Sequence, residues 1–146
     1  MIKECIIHLE GVDKTGKDTI RSNIVKNSKG KYLIIVRSFI SQIVYSRIYN
    51  RNINEVFFFK NAKNSFDRKE FFIYLYAEEN VIKERFIKHN EKDLDINDIF
   101  KHINVFNDVI KNFEQNGVYI LKVDTSNNSI EQCCNIILKY IDENNK

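Results

Sequence analysis

The segment Gly11 to Thr19 (GVDKTGKDT) has the spacing G-x-x-x-x-G-K, followed by Asp18 and Thr19. That spacing suits the capture of a phosphate chain. Backbone N–H groups of Gly11, Val12, Asp13, Lys14, Thr15, Gly16 and Lys17 can wrap an anion, and the glycines let the chain approach it closely. A helix that begins next adds its positive end. Lys17 then supplies a mobile ammonium to the β- and γ-phosphates of a triphosphate, with ATP as the expected donor. The position after the lysine ordinarily carries a hydroxyl that ligates Mg²⁺. Here it is Asp18. A carboxylate can bind Mg²⁺ directly as a hard oxygen ligand. Without the metal it lies beside phosphates, at about 4 kcal/mol of repulsion for an effective dielectric near 20 and a separation of about 4 Å. That equals about three orders of magnitude in affinity. Thr19 offers a hydroxyl if the helix start shifts by one residue. Asp18 and Thr19 are therefore the candidate metal ligands.

A chance glycine-rich turn would satisfy the same few positions, so the flanking elements decide. Glu4 to Glu10 (ECIIHLE) reads as a buried strand running into glycine, and Asp18 to Lys29 as a helix with Ile20, Ile24 and Val25 on one face. Lys31 to Arg37 is a second apolar strand. Ser38 to about Asn52 fits a helix through Ile40, Ile43, Val44 and Ile48, and a further helix is predicted over Ile53 to Asp67. Glu70 to Ala77 is the third strand, and Glu79 to His89 is helical. Asp95 to Asn116 carries the clearest stripe: Ile96, Ile99, Phe100, Ile103, Phe106, Ile110 and Phe113, ended by Asn116-Gly117. Val118 to Asp124 is the fourth strand. Ser129 to Ile141 is the last helix, with Ser129 and Gln132 spaced for a capping box. Strands that are short and apolar on both faces, alternating with helices, predict an α/β fold with a parallel sheet covered on both sides. Ligands on such sheets bind at the carboxyl ends of the strands, where Gly11 and Gly16 fall.

The 146 residues suit one domain, 43% hydrophobic and 29% charged, with a net charge of +3. That charge is too small to imply nucleic-acid or membrane binding, and the basic residues form no polybasic arm. The first apolar stretch is short and contains His8, so neither a signal peptide nor a membrane span is expected. The three cysteines have no metal-ligand spacing and read as reduced thiols of a cytoplasmic protein.

LEGVDKTGKDT, Leu9 to Thr19, resembles the P-loop of thymidylate kinases, usually LEGxDxxGKST. Gly11, Asp13, Gly16, Lys17 and Thr19 match. VRSFISQIVYS, Val36 to Ser46, resembles the second motif of phage-type deoxynucleotide kinases, close to DRxxxSxxVY, through Arg37, Ser41, Val44 and Tyr45. Phe71 to His89 resembles the strand, helix and start of the basic lid, with Arg85 as the lid-side arginine, and Lys122 to Gln132 the strand and loop bordering the adenine. The resemblance implies a three-layer P-loop NTPase-type fold in one domain over residues 1–146, with a lid at about 86–95. It implies transfer of the γ-phosphate of ATP to a deoxynucleoside monophosphate, dTMP-like, with Mg²⁺. Of the catalytic candidates, Lys17 would hold the donor phosphates, and Lys14, Arg37 and Arg85 would neutralise charge during transfer. Asp13, Arg37, Ser41 and Tyr45 would hold the acceptor nucleotide. A homodimer is a further expectation, and no nucleic-acid or membrane partner is.

The chain departs from the family in three places. Val36 stands where the motif has Asp, Asp18 replaces the Mg²⁺-binding hydroxyl, and the second lid arginine aligns with His89. A strand and helix are also missing between the loop and Arg37, which predicts about four parallel strands. One hypothesis is that Asp18 compensates for the carboxylate lost at Val36. The same departures support an alternative reading: a catalytically degraded P-loop module kept for nucleotide binding or protein interaction.

Other signals read more plainly. His8 is a core or sheet-edge histidine, and His89 and His102 are solvated. Arg47 and Arg51, four apart, share a helix face that is solvated or binds phosphate, and Tyr45 and Tyr49 on the same face stack on a base or pack in the core or an interface. Phe57, Phe58 and Phe59 suit core or a dimer patch. Glu91, Asp93, Asp95 and Asp98 flank a helix start, where acids favour the positive dipole end.

Overall fold

A computed structural model describes residues 4–12, 14–88 and 95–145. The elements run β1 (Ile6–Glu10), α1 (Lys17–Asn27), β2 (Leu33–Val36), α2 (Phe39–Ile48), α3 (Glu55–Lys63), β3 (Glu70–Tyr76), α4 (Glu79–Lys88), α5 (Ile96–Gln115), β4 (Ile120–Asp124) and α6 (Ile130–Asn144). All four strands are parallel, in the order β2-β1-β3-β4. Parallel neighbours need crossover helices, and these cover both faces of the sheet. The predicted three-layer α/β arrangement with a four-stranded sheet is the one observed.

The period of two along each strand sorts the core. Ile7 and Leu9 of β1, with Phe71, Ile73 and Leu75 of β3, pack against Ile20 and Ile24 of α1 and Cys133, Cys134, Ile137 and Ile141 of α6. Phe72 and Tyr74 face the other way, against Ile40, Ile43 and Val44 of α2 and Phe106, Val109, Ile110 and Phe113 of α5. Each fully buried Ile, Leu or Phe contributes roughly 1.5–3 kcal/mol. The apolar stripe read along α5 is the face laid on the sheet. All three cysteines are free and buried.

β1 lies between β2 and β3, which brings Gly11 to the middle of the sheet's carboxyl end. In register, Leu9 stands beside Val36, so the phosphate loop and the β2–α2 turn leave the sheet side by side. His8, on this interior strand, is a core residue at 2% exposure.

Two helices are shorter than predicted: α3 covers only Glu55–Lys63 and is capped by Asn64, and α2 is cut at its end. α2 stops at Ile48, with Tyr49 as its C-cap. Asn50 takes a left-handed φ of 52°. The Arg51 N–H returns to Ser46 O at 2.8 Å and the Asn50 N–H to Arg47 O at 3.5 Å, the bonding pattern of a Schellman motif. Arg47 and Arg51 therefore do not share a helix face. His102 is half-buried rather than solvated, its ring edge-on to Tyr45 at 5.8 Å. Of the aromatic run, Phe59 packs on Phe113 and Phe58 on Phe39, while Phe57 is exposed.

Candidate functional site

Gly11 must leave β1 without colliding with β3. A side chain there would strike the Leu75 carbonyl oxygen, and φ is +149°, which L residues rarely adopt. Gly16 (φ 85°) and Lys14 (φ 69°) are also left-handed. Thr15 is buried, and its hydroxyl donates to Val12 O at 2.8 Å, closing the loop on itself. Lys17 opens α1 and is 6% exposed. Its ammonium donates to Gly11 O at 2.6 Å and Val12 O at 2.7 Å, so it lies across the loop instead of pointing into solvent. Asp18 and Thr19 follow on the first turn of α1, both exposed.

A cavity of about 380 Å³ opens on this loop, lined by Lys14 to Thr19 together with Arg37, Arg85, Thr125 and Ile130. Arg85 reaches it from α4, but its guanidinium is bonded to main chain. Nη1 donates to Lys14 O at 2.7 Å and Thr125 Oγ1 at 3.2 Å, and Nη2 to Thr125 O at 2.8 Å. The arginine thus ties the phosphate loop to the turn after β4.

A second cavity, about 310 Å³, runs along α2 between Arg37, Ser41, Gln42, Tyr45, Tyr49 and Arg51. Arg37 lines both cavities. It has a left-handed φ of 65° at the end of β2, and its N–H bonds to Leu9 O at 3.0 Å. Of the residues predicted to act together, Lys14, Lys17, Asp18, Thr19, Arg37 and Arg85 meet at the first cavity, and Arg37, Ser41 and Tyr45 at the second. Asp13 and His89 lie outside the described residues, as does most of the expected lid.

Glu10 lies outside the G-x-x-x-x-G-K spacing. It is fully buried at the end of β1, and it accepts the Ser38 N–H at 2.7 Å and the Ser41 hydroxyl. Burial pushes its carboxyl up; the Ser41 and Ser38 bonds and the nearby Lys17 charge oppose this. Beside it, the Ser38 hydroxyl lies 2.6 Å from His8 Nδ1, and His8 Nε2 lies 3.2 Å from Glu70 Oε1. The signal in the sequence was two polar residues, His8 and Glu10, on the same side of an apolar central strand. Thr125 is likewise outside that spacing. It anchors Arg85 and bonds to Tyr76 O at 3.0 Å.

A parallel sheet with a glycine-rich turn and lysine after an interior strand defines the class: a three-layer α/β domain of P-loop type. The chain shares this fold with the YorR protein of Bacillus subtilis, determined in complex with phosphorylated GDP. The two are 20% identical, with a TM-score of 0.80, and the alignment covers 94% of this chain and 95% of that one. No protein-family model and no curated protein matches the chain. Among the described residues, no helix is long and apolar enough to cross a membrane.

Proposed function

We propose that the protein is a nucleotide kinase that moves the γ-phosphate of ATP to a nucleoside monophosphate. The observation that carries this reading is Arg37, which lines both the loop cavity and the α2 cavity. A guanidinium on the wall between them can meet the donor's γ-phosphate and the acceptor's phosphate together. An oxygen of the acceptor phosphate attacks the γ-phosphorus, and the bond from that phosphorus to the bridging oxygen breaks, releasing ADP. Catalysis here is positioning and charge stabilisation. The loop amides and Lys17 hold the donor phosphates, Lys14 and Arg37 offset developing charge, and Arg85 fixes the loop. The nucleotide-bound fold relative supports a nucleotide as ligand.

Asp18 and Thr19 suit Mg²⁺. Both are hard oxygen donors on the rim of the loop cavity, and such an ion completes its shell with phosphate oxygens and water. Held by Asp18 and Thr19, Mg²⁺ would supply positive charge that offsets the charge on the phosphates.

The reading is tested by thermal denaturation with ATP–Mg²⁺ and with monophosphates, followed by a phosphate-transfer assay. A ligand at 100 times its Kd stabilises by about 2.7 kcal/mol. Stabilisation by both donor and acceptor, with turnover, supports the kinase. Stabilisation by ATP–Mg²⁺ without turnover on any monophosphate supports the binding-module reading that Asp18 and Val36 motivate. The resemblance implies thymine as the acceptor base; residues at the far end of the α2 cavity bear on that choice.

A further inference from the structure

The α2 cavity has an arginine at each end and an aromatic wall between. Arg37 stands at the start of α2, where the acceptor phosphate would lie. Tyr45 and Tyr49 stack with centroids 6.3 Å apart and rings within 18° of parallel. Beyond them the Schellman turn folds Arg51 back, its guanidinium 5.2 Å from the centre of the Tyr49 ring. Arg47 is engaged elsewhere: Nε and Nη2 donate to Glu55 at 3.1 and 2.7 Å, and Nη2 also to Asn112 at 2.9 Å. The Arg51 side chain is exposed and has no hydrogen-bond or ion-pair partner among the described residues.

From this we infer that the acceptor base is a 6-oxopurine, guanine or hypoxanthine, read by Arg51. The inference rests on the α2 cavity being the acceptor site. With the phosphate at Arg37 and the base along the tyrosines, the base edge meets a planar fork of N–H donors. Such a fork is matched by two adjacent acceptors. The O6 and N7 atoms of a 6-oxopurine supply them. On the corresponding edge adenine presents N7 beside an amino donor, thymine one O4 acceptor beside a methyl group, and cytosine an amino donor, its own adjacent acceptors N3 and O2 lying on the other edge. Tyr49 holds the guanidinium through its π-face, which leaves the N–H groups for the base. Tyr45 and Tyr49, both on the cavity wall, give the base an aromatic surface to lie along.

The test is calorimetric binding of dGMP, dIMP, dTMP, dAMP and dCMP to the full chain, the Arg51→Ala variant and the Arg51→Lys variant. The side chain is exposed and beyond the helix, so both variants are expected to fold, and circular dichroism checks that they do. The parent is expected to bind dGMP and dIMP about 10-fold or more tighter than the other three. Arg51→Ala is expected to bring all five within about threefold while still binding. Arg51→Lys is expected to do the same, because an ammonium is a point charge without the fork. Equal binding of all five by the parent, or a purine preference that survives in either variant, overturns the inference and leaves the kinase reading standing. Stabilisation by ATP–Mg²⁺ with no binding of any monophosphate overturns the acceptor reading and the inference together.

Discussion

Glu10, at the carboxyl end of β1, accepts the backbone N–H of Ser38 at 2.7 Å and so binds the β2–α2 turn to the strand that launches the phosphate loop. The same carboxylate accepts the Ser41 hydroxyl one turn into α2. Arg37 lies immediately before this clamp, in a left-handed conformation that costs free energy and persists only where its surroundings impose it. Removing the clamp should free Arg37 and Ser41 without touching Lys17. Glu10→Ala is expected to lose about 1–3 kcal/mol in urea denaturation, since it strands the half-buried Ser38 N–H and the buried Ser41 hydroxyl. In a transfer assay it should raise the acceptor KM more than the KM for ATP. Glu10→Gln keeps a carbonyl for Ser38 and carries no charge. Burial raises the Glu10 carboxyl, so Glu10 stabilises the fold most below about pH 4.5 and loses that contribution as pH rises through its folded value. The stability of Glu10→Gln relative to the parent should therefore increase from pH 4 to pH 8. A constant difference would show that the Glu10 charge is not what distinguishes them.

The neighbouring histidine titrates in the opposite sense. Burial lowers the His8 pKa from 6.5, outweighing the Glu70 contact that would raise it; Arg68 also lowers it. The neutral ring has both nitrogens occupied if Nδ1 accepts from Ser38 and Nε2–H donates to Glu70. With the folded pKa depressed, the stability contribution is complete above pH 6.5 and is lost as pH falls through the folded value. Between pH 7.5 and pH 5 the parent's Tm should fall relative to that of His8→Gln, in which Glu10 is unchanged. Identical slopes would place the titrating group elsewhere.

The order of strands and helices was legible because each buried element keeps its period: two in β1 and β3, and 3.6 in α5. The phosphate loop was legible because a chain this poor in glycine places two of its four at the end of its central strand. The end of α2 was not. Tyr45, Tyr49 and the arginines continue a helical spacing past the true stop, and the terminator is Asn50 in a left-handed turn, not glycine or proline. Nor was the clamp legible. Glu10 and Ser38 are 28 residues apart, and only the parallel pairing of β1 with β2 brings them together.

Arg85 offers a choice between charge and shape. Its donors engage two carbonyls and a hydroxyl, an arrangement an ammonium cannot reproduce. If Arg85 acts by holding Lys14 and the loop in place, Arg85→Lys should lose nearly as much turnover as Arg85→Ala. Both variants should also show faster amide hydrogen exchange at residues 14–17. If Arg85 acts as a charge near transferred phosphate, lysine should restore most of the turnover, and exchange in the loop should match the parent.

Asp18 decides whether the metal site has been rebuilt or lost. Its exposed carboxylate shares the rim of the loop cavity with Thr19, and β2 ends in Val36, an apolar residue with no carboxylate to offer a metal. As a magnesium ligand, Asp18 should make ATP binding strongly dependent on Mg²⁺, because without the ion the carboxylate repels the phosphates by about 4 kcal/mol at an effective dielectric near 20. Asp18→Ser should then bind metal-free ATP more tightly than the parent does and ATP–Mg²⁺ more weakly. Calorimetry with and without the ion reads both arms. A serine variant that holds ATP–Mg²⁺ at least as tightly as the parent would mean that Asp18 is only a repulsive charge on the phosphate loop, and the kinase reading would lose its metal ligand there.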